Sequence, residues 1–500
     1  MPVSLARGLN YLWLILLGLL LAALLARAAI SAATSAQMFT YPFQFDESEG
    51  MIVAETMLLD RGVNIYARPG PELFVAAPYP PLFYLLAWPL QHVAGAEPTF
   101  KIGRAFSIIA TLVSGIAIYG ITVGLTKDRV AGALGAALWW SLGLVTFWGS
   151  LVKPDVLAVA FGLCGIWVAV TRPQSQVWLS LPLFLAAFYT KQTAVAAAAA
   201  TMGWLFVAQP RRGLLFGLSY ALGVAVPSVI LDLMTGGGYF YHMFTVHDLP
   251  WFGERFQQYA LNFIGSYGYF LVPGMLLALV AGIAGVVGRF RRSSLLLPGN
   301  AGILLLLYLL LSMLSSIGAG TLGGNHNHLL DWAAAACLGS GVLIAVLRCS
   351  SRLAVQVTGL VFVLVLLSQV PALYTVPAWL KKEYGLLDAA RTEGLVNIFQ
   401  YVTNNGGTAY SDNVGLMLAT RKKLWTTDPF TQTHATLYGR WDETKLVRAI
   451  TEGQFDQIVI RIDVFDPREN AGDVSPTILQ AVRNRYKLDQ RNVENIYVPK

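Results

Sequence analysis

Charge is what this sequence has least of. Only 13% of its 500 residues are Asp, Glu, Lys or Arg, while 55% are hydrophobic. Soluble domains carry roughly a quarter charged residues, so the composition excludes a soluble enzyme and describes a polytopic membrane protein. The formal net charge of +7 does not indicate nucleic acid. Residues 1–376 hold 19 of the 35 basic and 13 of the 28 acidic residues, and residues 377–500 hold 16 and 15. The tail alone has the balance of an ordinary soluble protein. Cysteine is nearly absent. Cys164, Cys337 and Cys349 are scattered and none lies in the tail, which excludes a disulfide framework. No P-loop and no G-x-G-x-x-G occurs, so nothing points to nucleotide use. No clear internal repeat and no low-complexity tract is visible, and acids are nearly absent from the apolar runs.

What is present is a series of apolar segments near 10–30, 79–94, 103–126, 130–150, 156–171, 175–190, 193–208, 213–234, 264–288, 295–316, 328–347 and 353–374. The first has a basic start and small residues after it, like a signal peptide, but its length reads as an uncleaved span. The segment at 79–94 is short and carries Pro80, Pro81 and Pro89, so it is expected to lie at the interface. Eleven spans remain. Arg7, Lys127, Arg129, Arg172, Arg211, Arg212, Arg289, Arg291, Arg292, Arg348 and Arg352 then share one side, with Asp128 the one acid among them. The positive-inside rule makes that side cytoplasmic. The N-terminus is expected inside and the tail outside, and the loops at 31–102, 151–155, 190–193, 235–263 and 317–328 converge on the outer face.

The first outer loop opens with "YPFQFDESEG" (41–50). Asp46 and Glu49 match a capping box. Met51, Ile52, Leu58 and Leu59 form an apolar face and Gly62 can end the helix, so an amphipathic helix on the membrane is one reading. That reading leaves Glu47 unexplained, and ionisable groups at membrane depth are functional by default.

A first span, an outward loop beginning "DESEGMIVAETMLLDRGVNIYARPG" and then "YPPLFYLLAWPL" resembles the GT-C superfamily of membrane glycosyltransferases. Its nearest likeness is to bacterial proteins similar to protein O-mannosyltransferases and lipid A aminoarabinose transferases. The resemblance covers roughly residues 10–375. It implies two juxtamembrane helices in the first loop, the second opening at the Pro-Pro pair, and a location in the bacterial cytoplasmic membrane. It implies a sugar taken from a polyprenyl-phosphate donor on the outer leaflet and passed to a glycan, lipid or protein acceptor. Asp46 takes the place of the superfamily's first-loop acid and would be the general base, its pKa raised by burial. Glu47 is the second carboxylate, orienting acceptor or sugar hydroxyls.

The leaving phosphate needs cations. The lipid A enzymes have Lys immediately before Pro-Pro, whereas here Tyr79 stands there. Lys153 beside Asp155, and Lys191, are the outer-face lysines; snorkelling to the interface is the alternative for both. Lys191 is flanked by Thr190, Gln192 and Thr193, polar groups at a helix entrance where free N–H groups favour an anion. Asp155 matches an outward acid of the superfamily and is read as a sugar or acceptor contact. In "GAGTLGGNHNHLLD" (318–331), Asn325, His326 and His328 are candidate carrier-phosphate or sugar ligands, with interface capping as the alternative. His326 and His328 with Asp331 raise a metal, but an i,i+2 pair points to opposite sides of a helix. No metal site and no certain cofactor are assigned, and no D-x-D occurs in the outer loops. Trp251, with Glu254 and Arg255, reads as part of an aromatic belt.

The tail, 377–500, is expected to be an extracytoplasmic α/β domain, with strands at 408–412, 456–463 and 495–500 and helices at 441–453 and 476–486. Two rival classes remain: a transporter or flippase, which would carry ionisable groups in mid-helix and matched repeat halves, and a non-catalytic scaffold derived from the GT-C fold.

Overall fold

A computed structural model describes residues 3–95, 99–291, 300–384, 387–466, 472 and 474–500. Arg292 and the start of the segment expected at 295–316 lie outside the described residues. The eleven apolar segments fold as helices. They are α1 (Val3–Thr40), α4 (Lys101–Thr126), α5 (Arg129–Ser141) with α6 (Gly143–Trp148), α7 (Asp155–Thr171), α8 (Leu181–Thr190), α9 (Ala196–Ala208), α10 (Pro210–Met234), α11 (Gly253–Arg291), α12 (Ala301–Ser316), α13 (Leu330–Arg348) and α14 (Leu353–Tyr374). Among the described residues seven helices are long and apolar enough to cross a bilayer alone. The other four apolar segments are shorter or interrupted: α7 and α9 have 17 and 13 residues, a break at Leu142 divides α5 from α6, and a 3₁₀ turn at 174–180 leads into α8. Such interruptions are tolerated where protein, not lipid, surrounds the backbone. Leu142, Leu144, Val145, Phe147 and Trp148 are all buried.

The first loop supplies two further helices, α2 (Glu47–Asp60) and α3 (Leu82–Ala94). Gly62 ends α2 as expected, with φ +78° and a Schellman pair of bonds, Gly62 N–H to Leu59 O at 3.0 Å and Val63 N–H to Leu58 O at 2.9 Å. Helix α3 is short, with 13 residues. It starts after Pro81, buries Phe83, Tyr84 and Ala87, and exposes Leu85, Leu90 and Val93. Asp60 fastens it to the end of α2 by accepting from Trp88 Nε1 at 3.0 Å and pairing with His92 at 2.8 Å.

Helix α2 departs from the expectation of a helix lying on the membrane. Every residue from Glu49 to Leu58 is buried, because the tail covers the side that would have faced solvent. The tail is a four-stranded sheet, β1 (Ala409–Ser411), β2 (Gln457–Ile460), β3 (Tyr486–Gln490) and β4 (Asn495–Pro499), in the order β1-β2-β4-β3. Strands β1 and β2 are parallel and the other pairings antiparallel. The strands and helices expected from sequence are all there. The edge strand β3 and the helix Ala389–Asn404 were not expected.

Candidate active site

Asp46 is the N-cap of α2, with extended backbone and a side chain accepting from Ser48 N–H at 3.0 Å and from the Ser48 hydroxyl. Its carboxylate also pairs with Lys153 at 3.2 Å. Lys153 lies in the turn before α7 and sits 4.7 Å over the ring of Trp148. Burial pushes the Asp46 carboxyl up, but the Lys153 ammonium and the two Ser48 donors outweigh it and hold the group below its ordinary value. This corrects the expectation that burial would raise it. Burial works against the Lys153 ammonium in the same way, and Asp46 and Asp155 prevail and raise it.

A second pair lies beside the first. Asp155 opens α7, and its carboxylate accepts from Lys191 Nζ and from Asn327 Nδ2 at 2.8 Å. Lys191 is the C-cap of α8, its N–H bonded to Ala187 O at 2.9 Å. The helix end beside it therefore presents carbonyls rather than the free N–H groups expected from sequence, and favours the ammonium itself. Asp155, Lys191, Asn327, His328 and Asp331 line one narrow cleft between α7, α9 and the turn into α13. Gln192 donates to Pro78 O at 2.9 Å, which ties this region to the residue before Tyr79. The Tyr79 phenol is held well above its ordinary value by burial, then by the nearby carboxylates of Asp155 and Asp46. At this position the chain therefore carries a neutral O–H donor.

Of the trio Asn325, His326 and His328, one alone reaches the cleft. Asn325 caps the 3₁₀ turn by accepting from His326 N–H at 2.8 Å. His326 is packed between aromatic rings, 4.1 Å from Trp379 and 4.0 Å from Tyr259 between centroids. His328 lines the cleft, and so does Asn327, which sequence reasoning overlooked. No group of three metal-ligating side chains forms among the described residues. Trp251 is half-exposed and donates to Ile317 O at 2.9 Å, joining the loop before α11 to the one after α12.

Glu47 and Glu49 have different partners. Glu47 is ion-paired with Arg461 of the tail. Glu49 does not cap the surface. It is fully buried in a two-pronged pair with Arg104, both contacts at 2.9 Å, and accepts from Phe45 N–H at 2.7 Å and Val152 N–H at 2.9 Å. Arg104 is equally buried and donates to the carbonyls of Met38, Tyr41 and Phe43 at 2.5–2.8 Å. One ion pair thus fixes the exit of α1, the start of α2 and the Lys153 turn. The signal for it was an Arg inside an apolar span, in "KIGRAF" (101–106).

Glu55 is another buried acid of α2. It accepts from Ala77 N–H at 2.8 Å, the Tyr84 hydroxyl at 2.6 Å and the Thr427 hydroxyl of the tail at 2.9 Å. Burial raises its pKa to about 7 against the pull of these donors. The unfolded carboxyl titrates near 4.5, so between those values the folded chain binds more protons and stability falls as pH rises. Glu55→Gln is therefore expected to flatten the decline in melting temperature between pH 5 and 7. A parallel decline in both proteins would show that Glu55 is not its source.

No protein-family profile matches this chain, and no curated sequence is similar to it. Solved structures do resemble it. ArnT from Cupriavidus metallidurans bound to undecaprenyl phosphate superposes with a TM-score of 0.60 over 95% of this chain and 97% of that one, at 12% identity. The fold is GT-C. Apo ArnT from the same organism gives 0.57 over the same shares at 14% identity. The archaeal oligosaccharyltransferase AglB from Archaeoglobus fulgidus, with an inhibitory peptide and a dolichol phosphate, gives 0.48 over 88% and 69% at 10% identity.

Proposed function

We propose that this chain is a glycosyltransferase that moves a sugar from a polyprenyl-phosphate donor to an acceptor at the outer face of a bacterial cytoplasmic membrane. One observation carries the reading. Two ammonium–carboxylate pairs, Lys153–Asp46 and Lys191–Asp155, drawn from three separate parts of the chain, meet at one end of an apolar bundle whose fold matches a protein crystallised with undecaprenyl phosphate. Buried lysines beside carboxylates suit a leaving phosphate flanked by a base.

In this reading the acceptor's O–H or N–H nucleophile attacks the anomeric carbon from the face opposite the phosphate. The bond from that carbon to the phosphate oxygen breaks and its electrons leave with the lipid phosphate. Lys153 and Lys191 receive the phosphate, and the acceptor's proton passes to Asp46. As Lys153 turns to the phosphate, Asp46 loses the charge that held its pKa down, so the base strengthens when the donor is in place. Asp155 keeps Lys191 oriented, with Asn327 and His328 at the cleft. An apolar groove of about 650 Å³ between α1 and α4, lined by Ala28, Ala32, Ala36, Ile108 and Leu112, is open to a hydrocarbon chain. The distribution of basic loops supports a cytoplasmic N-terminus and an outer tail in this reading.

The test is lipid-linked sugar analysis by mass spectrometry in cells with and without the chain, together with surface glycans. Loss of the chain is expected to accumulate one polyprenyl-phosphate sugar and to remove that sugar from one surface acceptor. Unchanged pools of both would overturn the reading. A cysteine placed in the tail is expected to react with a membrane-impermeant reagent from outside, and one near Lys127 is not; the reverse pattern would put the site on the wrong side for this chemistry.

A further inference from the structure

The tail does not merely rest on the bundle. It grips α2 at three points along its length. Arg461, just past the end of β2, pairs with Glu47 in the first turn. Gly415 N–H donates to Gln44 Oε1 at 3.0 Å, and a Cβ on Gly50 would stand 2.8 Å from Gly415 N, so the two backbones touch where only glycine fits. Farther along, Thr427 bonds Glu55 and also accepts from Ala76 N–H at 3.0 Å. A short parallel bridge beside it joins Phe74 N–H to Trp425 O at 3.0 Å and Thr427 N–H to Phe74 O at 2.8 Å.

The first grip differs from the others in what it adjoins. Glu47 is the next residue after Asp46, so their Cα atoms are about 3.8 Å apart. Arg461 is itself rigidly held. Asp412, buried just past β1, accepts from Arg461 Nε at 3.2 Å and from its N–H at 3.3 Å. Asn413 follows, capping the helix Val414–Ala419 and donating to the buried Glu494 at 2.5 Å. The carboxyl edge of the parallel strand pair, where open α/β sheets present polar groups, is thus spent on fixing one guanidinium against the first turn of α2. Arg461 has a further electrostatic effect. Its positive charge offsets part of the negative charge of Glu47 next to Asp46.

We infer that Arg461 is a positioning residue for Asp46, acting through Glu47, and that the tail is a working part of the active site rather than an accessory domain. Building on Asp46 as base, this gives Glu47 a role other than contacting hydroxyls. It links the base to the sheet that holds it still. A shift of about 1 Å in a reacting group costs on the order of 100-fold in rate, so the rigidity of that link is read in turnover.

The experiment uses the full-length chain with a polyprenyl-phosphate sugar as donor, and measures kinetics and hydrogen exchange on the same variants. Arg461→Gln is expected to lower kcat about 10- to 100-fold, with KM for the donor unchanged within about threefold. The acid limb of kcat/KM should move upward, because removing the Arg461 charge leaves more of the negative field of Glu47 acting on Asp46; a purely structural contact would not move it. Arg461→Lys should recover part of kcat. Glu47→Gln with Arg461→Gln should be no worse than Arg461→Gln alone, the signature of two residues acting as one link. Amide exchange at residues 47–50 should rise in Arg461→Gln while β2 and β4 stay protected. Wild-type kcat and pH profile in Arg461→Gln would overturn the inference, even if exchange rises. Unchanged exchange at 47–50 would overturn it as well. Faster exchange in the variant, in a chain whose wild type transfers no sugar, would leave the mechanical link standing and remove the assignment of the reaction instead.

Discussion

Asp46→Asn is expected to fold, to melt within a few degrees of the wild type and to lose roughly 10²- to 10⁴-fold in turnover, the usual scale for removal of a general base. Asn is also a good N-cap, and its side-chain oxygen can still accept from Ser48 N–H as Asp46 does at 3.0 Å. What disappears is the charge that pairs with Lys153 and the capacity to take a proton. If Asp46 were a cap alone, the variant would lose at most about 1 kcal/mol of stability and keep its rate. The pH profile separates the readings further. Since Lys153 and Ser48 outweigh burial and hold the resting carboxyl below its ordinary value, the acid limb of kcat/KM, which reports the free enzyme, should lie on the acid side of an ordinary aspartate's. An Asp46→Asn protein that folds and transfers sugar at the wild-type rate would refute the catalytic assignment.

The largest loss of stability should come from the neighbouring acid. Glu49→Gln leaves the Arg104 guanidinium fully buried without a counter-charge and turns an amide N–H₂ towards donors that need an acceptor. Both partners are 0% exposed, and Glu49 also accepts from Phe45 and Val152 N–H. Breaking a buried pair from one side costs about 3–5 kcal/mol, so the variant should express poorly and melt well below the wild type. Arg104→Gln should do comparable damage, because three backbone carbonyls lose a charged donor. The two changes together should cost less than the sum of the single losses, since they share one interaction. Melting temperatures of the three variants decide it. Additive losses would mean that the pair does not act as a unit. Any loss of turnover in Glu49→Gln beyond the folded fraction would reflect displacement of the Lys153 turn, which Glu49 holds through Val152.

Adjacent carboxylates in "DESEG" therefore have three separate duties, and the sequence distinguished only part of this. Capping chemistry identified Asp46, because an acid before a helix has a local mark: a break in the apolar pattern followed by helical spacing. Local rules could not tell Glu47 from Glu49. Their partners, Arg461 and Arg104, lie 414 and 55 residues away, and no periodicity encodes a contact at that separation. Lys153 and Lys191 stood out because lysine is rare at the outer ends of apolar runs. Their pairing with Asp46 and Asp155 depends on how α7 and α8 pack. Asn325 and His326 failed to reach the cleft because the 3₁₀ turn at His326–Leu329 sends one ring into an aromatic stack and leaves Asn327 and His328 inward.

By itself the sequence determined the number of apolar segments, the short helix that follows the Pro-Pro pair, and the alternation that makes the tail an α/β sheet. Each is set by local composition and spacing, since transfer of side chains between water and hydrocarbon acts residue by residue. The tertiary structure alone decided the burial of α2 beneath the tail, the Glu49–Arg104 clamp, the low resting pKa of Asp46 and the grip of Arg461 on Glu47. Those properties depend on which charges meet once water is excluded. In a low-dielectric interior a partner at about 3 Å outweighs the sequence context of either residue.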